Sequence, residues 1–168
     1  GTAEVATFCA GEPSASYAVE TASGAWLLAG RSIWRAPPEK GLVLTRDFAE
    51  RRPELTGRLM RAVWRACRWL DQPGNRGMAA EIVSRPDYLN LPPELSERGL
   101  LSRLHISAQG ETRTYRDFIR FHEGGTNFPW RSLAAFFARG IASANALDPG
   151  PAMATAMASF RTNPHRQH

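Results

Sequence analysis

The run Phe8-Cys9-Ala10-Gly11-Glu12-Pro13 constrains this chain more than any other feature, because it reads as a strand passing through a tight turn into the start of a helix. Gly11 permits the turn, and Pro13 presets the first helical turn while lacking the N–H that a helix start leaves unsatisfied. Val5 to Ala10 is expected to be a buried strand and Ser14 to Thr21 a helix closed by Ser23-Gly24. The opening N–H groups of a helix carry partial positive charge, so such a junction suits a small anion. Lys40, in Pro38-Glu39-Lys40, would supply the counter-charge. Taken singly, a Gly-Glu-Pro turn and a surface lysine are both commonplace; together they point to binding.

A second apolar run, Ala25 to Ala29, and a third, Leu42-Val43-Leu44, are further strand candidates separated by a proline-ended loop from Ser32 to Pro38. Strands alternating with helices favour an α/β layer for residues 1–45. Residues 46–168 turn mostly helical. Thr45 can cap a helix from Arg46 to Arg51, and Pro53-Glu54 opens a longer one to about Leu70 whose core face is Leu55, Leu59, Val63, Cys67 and Leu70. Asn75 is the expected N-cap of Arg76 to Val83, and Pro92-Pro93 begins a helix to Leu100. Residues 103–129 read as extended and irregular. Trp130 to Ile141, with Leu133, Phe136 and Phe137 inward, and Pro149 to Phe160 are the last two helices.

At 168 residues the chain is expected to be a single α/β domain, with 43% hydrophobic and 22% charged residues, near the globular average. No apolar run approaches the roughly 20 residues that span a bilayer. Gly1 is followed by no basic and apolar leader, so the start reads as a cut boundary that leaves the compartment open. Cys9 and Cys67 are too few for a disulfide framework and read as buried thiols. The net charge of +5 is concentrated in Arg51, Arg52, Arg58, Arg61, Arg65 and Arg68. The last four share a helix face, read as solvated rather than as a nucleic-acid surface because no stacking aromatics are interleaved with them.

No catalytic constellation is present: the sequence has no Gly-x-Ser-x-Gly elbow, phosphate loop or dinucleotide fingerprint, and no cofactor is implied. His122-Glu123 begins like a zinc-protease helix, yet Thr126 stands where the second histidine belongs and Gly124-Gly125 would break that helix. His105, His122, His165 and His168 lack ligand spacing, so no metal site is expected.

Five segments in order resemble one family: Phe8 to Pro13, Pro38-Glu39-Lys40, Arg65-Ala66-Cys67-Arg68-Trp69-Leu70-Asp71, Pro86-Asp87-Tyr88-Leu89-Asn90-Leu91-Pro92, and Asn127-Phe128-Pro129-Trp130-Arg131-Ser132. Across about residues 5–143 the chain is similar to the nitrate and bicarbonate solute-binding proteins of ABC uptake systems. The resemblance implies a periplasmic-binding-protein-like type II fold, present in part as one lobe plus C-terminal helices, since the matched motifs are those of the family's later portion. It implies Lys40, Gly11 and Glu12 as the ligand-binding positions: Lys40 where nitrate binders keep a lysine, Gly11 as a backbone contact, and Glu12 as an acidic residue beside the hinge. The sequence departs from the family at Ser14, where tryptophan is frequent, and at Leu133, where histidine is common.

The implied ligand is nitrate, nitrite or, by the same charge chemistry, bicarbonate. The implied partners are the membrane subunits of an ABC transporter, and the implied location is the periplasm. A cytoplasmic nitrate or nitrite sensor acting through a regulatory partner is the alternative, with a regulatory domain fused to a transporter ATPase as its variant. An isolated portion of such a protein is expected to bind anion weakly and to expose apolar surface that promotes self-association.

Overall fold

Thr45 accepts the Phe48 backbone N–H at 3.2 Å and so begins a helix over Arg46–Arg51, as its sequence position predicts. The computed structural model describes residues 6–162. In chain order the helices are α1 (Ser14–Glu20), α2 (Gly30–Ile33), α3 (Arg46–Arg51), α4 (Pro53–Leu70), α5 (Arg76–Val83), α6 (Pro93–Leu100), α7 (Arg131–Ala144) and α8 (Pro149–Ser159). Strands β1 (Arg103–His105) and β2 (Thr112–Thr114) pair antiparallel, with Leu104 opposite Arg113.

The described residues group into two compact units, residues 6–43 with 67–123 and residues 44–66 with 124–162. In the first, α5 and α6 pack together, and Ser84 and Ser96 share a buried hydroxyl–hydroxyl hydrogen bond of 2.8 Å between them. Leu104 of β1 and Leu95 of α6 are buried, as are Val19 of α1 and Ala79 and Ala80 of α5. Arg98 of α6 reaches Glu20 of α1 at 2.6 Å. In the second unit α7 packs against α8, whose N-cap Asp148 accepts the Gly150 N–H at 2.9 Å.

Several expectations are corrected. Val5 lies outside the described residues; the rest of its run, together with Ala25 to Ala29 and Leu42 to Leu44, joins no sheet. A strand exists through its ladder, and the second run reaches another segment through the Trp26 N–H, which donates to the Ile106 carbonyl at 2.9 Å without starting a ladder. Leu27 and Val43 are 80% and 87% exposed instead of buried. The hairpin lies in the stretch read as irregular; its three-residue strands are too short for a period-2 pattern, and Gly110, at φ +83°, makes the turn that joins them.

The α4 face predicted as core is partly open, with Leu55 and Val63 exposed and only Thr56 buried on that helix. On α7 the buried residues are Ala134, Ala138 and Ala142, while Phe136 and Phe137 are exposed. A stripe of alanines lets a neighbouring backbone approach closely, and that close packing decides which face turns inward. Asn75 holds the N-cap position of α5, but its amide donates to the Trp69 carbonyl at 2.9 Å and to Gln72 rather than capping. Cys9 is exposed rather than buried and Cys67 half-buried, neither of them in a disulfide. Gly124 and Gly125 take φ of 69° and 74°, the left-handed region that interrupts a helix.

Candidate functional site

Residues Gly11, Glu12, Ser14, Glu39 and Lys40 line an open cavity of about 260 Å³ in the first unit. The turn before α1 supplies Gly11 and Glu12, the first residue of α1 supplies Ser14, and the segment after α2 supplies the other two. All three residues singled out from the sequence therefore face one space. Ser14 and Glu39 join them without having been assigned there, although Glu39 adjoins Lys40 and Ser14 follows Glu12 by two residues.

The anion-receiving helix start expected at this turn is only partly open. Helix α1 has seven residues, and its early donors are partly used: the Ala15 N–H donates to the Gly11 carbonyl at 3.2 Å, the Ser16 N–H reaches Glu12 Oε2 at 3.4 Å and the Ser16 hydroxyl reaches Oε1 at 3.1 Å. Burial pushes the Glu12 carboxyl above its ordinary range, the Ser16 hydrogen bonds oppose that shift, Glu39 adds to it and Lys40 opposes it. Behind Glu12 stands Gly99 of α6, where an added Cβ would lie 3.0 Å from the Glu12 Cγ. That close approach fixes the carboxylate against the helix.

Lys40 is the cation of the cavity. Its ammonium pairs with the Glu39 carboxylate and donates to the Glu12 backbone carbonyl at 3.3 Å. Among the described residues two of its three N–H donors are thus engaged, leaving one for an incoming acceptor. Gly11 borders the same place: a Cβ there would strike the Glu39 carboxylate and lie 3.4 Å from Lys40 Nζ. The chemistry available is electrostatic and hydrogen-bonding capture of a small group bearing negative oxygen.

Residues 2–84, which contain every residue lining the cavity, match the NMT1-like family. The nitrate import ATP-binding protein NrtC of Synechocystis is 29% identical over 125 residues, covering 74% of this chain and 19% of NrtC. The bicarbonate-binding protein CmpA of Synechococcus elongatus is 25% identical over 134 residues, covering 77% of this chain and 30% of CmpA. Over about three quarters of its length the chain is similar to these two proteins. The resemblance read from the five motifs stands, and the chain spans about a fifth to a third of the length of these relatives.

The fold follows from a solved relative. The periplasmic nitrate-binding protein NrtA from Synechocystis superposes with a TM-score of 0.86 at 21% identity, over 94% of this chain and 41% of NrtA. The chain therefore carries part of the periplasmic-binding-protein fold, as the sequence resemblance implies. Among the described residues no helix is long and apolar enough to cross a membrane.

Proposed function

We propose that this chain is part of the solute-binding component of an ABC-type uptake system for nitrate, nitrite or a related small oxyanion, and that it captures and delivers its ligand without chemical conversion. The observation that carries the reading is the convergence of Lys40, Gly11 and Glu12 on one open cavity within the family-matched stretch. Lys40 supplies the point charge and Gly11 the room for close approach. Glu12 acts by holding α1 and by presenting its carbonyl to the lysine. The working partners are the transporter's membrane subunits, and the working location is the periplasm.

In proteins of this fold a ligand touching two lobes favours the closed state, so this chain alone holds an incomplete cleft and binds weakly. Exposed Leu27, Ile33 and Val43, the first two at 80% and the third at 87%, give the isolated chain apolar surface that favours self-association. Thermal-shift titration with nitrate, nitrite, bicarbonate and chloride, on this chain and on the full-length gene product, tests the reading. Stabilisation of the full-length product alone by one of the three oxyanions is expected. No response to any of them in either protein would overturn it.

A second reading has its own support in the similarity to NrtC, an ATP-binding protein. Here the same fold senses the anion in the cytoplasm, fused to or acting on a regulatory partner. Nucleotide-binding motifs elsewhere in the full-length gene product favour this reading, and an export signal favours the first.

A further inference from the structure

The anion reading leaves Glu39 unexplained. Glu39 and Lys40 lie on a segment that is neither helix nor strand, so no regular backbone dictates whether their side chains meet. Both side chains converge on the bare face of Gly11, where an added Cβ would meet the Glu39 carboxylate first and the Lys40 ammonium next. Glu39 thus places a carboxylate, itself a small planar oxyanion, against the one cation that lines the cavity among the described residues. With Glu12 also lining the space, two acidic residues and one lysine border the cavity. A free anion entering it meets repulsion until one carboxylate leaves or is neutralised.

We propose that Glu39 is a resident competitor for the oxyanion position, occupying Lys40 when no ligand is bound and swinging away when one arrives. The proposal rests on the anion-binding reading above and adds its regulation: Glu39 sets the affinity threshold by competing for the same donors. Its side chain is 43% exposed and that of Lys40 71%, so the carboxylate has solvent to move into and the fold does not depend on the pair.

Isothermal titration of nitrate, nitrite and bicarbonate into the full-length gene product, into Glu39→Gln and into Lys40→Met tests it at low ionic strength, with circular dichroism confirming that each variant is folded. Lys40→Met is expected to lose binding. Glu39→Gln keeps the shape and removes the charge, and is expected to bind the same anion about two- to fivefold tighter, the scale set by an exposed ion pair. Loss of binding in Lys40→Met with unchanged or weaker binding in Glu39→Gln overturns the competitor role and leaves the anion site standing. Affinity that ignores Lys40→Met, or absence of binding in both the unsubstituted protein and Glu39→Gln, overturns both.

Discussion

Asp71 and Phe121, fifty residues apart, are joined by a 2.8 Å hydrogen bond from the Phe121 backbone N–H to Asp71 Oδ1. The other carboxylate oxygen accepts the N–H groups of His122 at 2.7 Å and Glu123 at 2.6 Å. One side chain therefore satisfies three successive backbone donors. Beside it Arg76 spreads its guanidinium over the carbonyls of Leu70, Leu100 and Ile119 at 3.0, 2.9 and 3.2 Å, and lies 3.8 Å from Asp71 Oδ1. This pair fastens the end of α4 to residues 119–123 and to the end of α6.

Replacing Asp71 by alanine strips three donors of their acceptor and leaves Arg76 without its carboxylate. The expected cost is about 2–4 kcal/mol, since an orphaned buried partner costs more than the lost bond alone. Urea denaturation of the purified protein would measure it. A loss under about 0.5 kcal/mol, the scale of an ordinary surface substitution, would show that the clamp carries no load.

Acid should act on the two buried-side carboxylates in opposite directions. Burial opposes ionisation of Asp71, but the N–H groups of Phe121, Glu123 and His122 together with Arg76 outweigh it and hold the pKa below the ordinary range. The unfolded chain then takes up the proton first, so the stabilisation from Asp71 is present above its unfolded value near ~3.9 and is lost as pH falls toward the folded value. Glu12 runs the other way: burial raises its pKa, the folded form takes the proton first, and stability from this group declines as pH rises above ~4.3. Stability measured from pH 3 to 8 should show the penalty of Asp71→Asn shrinking as pH falls, and Glu12→Gln gaining on the parent as pH rises. Parallel curves for either variant would contradict the assignment for that residue.

Where the sequence carries local chemistry, it was readable. Thr45 capping α3, Pro53 opening α4 and Pro93 opening α6 are effects of one or two residues acting on their own backbone, and the structure has each of them. The meeting of Gly11, Glu12 and Lys40 was legible through the motif series, which fixes an order of segments. The fates of the apolar runs were not legible, because pairing depends on what lies beside a segment: Leu27 and Val43 have strand-like surroundings in sequence and no ladder in the fold. Glu39 was hidden for another reason. Its position beside Lys40 says nothing about contact, because the two residues lie on a segment that is neither helix nor strand, and the meeting of their ends against the bare surface of Gly11 is visible only in the fold.

Helix α7 turns the same lesson into a stability test. By size and apolarity Phe136 looks like the core residue of the helix, yet it is 60% exposed, while Ala134 is 2% exposed on the face that α7 buries. Helix α7 packs against α8, and a residue as small as alanine at a buried position means that the neighbouring atoms already fill the space a longer side chain would need. Ala134→Leu must force off-rotamer side chains or part the helices, at an expected cost of about 1–3 kcal/mol. Phe136→Ala gives up a ring that is mostly in water and that meets Phe137 edge to face at 5.7 Å, so its cost, set by that exposure, should stay below about 1 kcal/mol. Chemical denaturation of the two variants beside the parent gives the order directly. A larger loss from Phe136→Ala than from Ala134→Leu would mean that α7 buries its aromatic face after all, as its sequence alone implies.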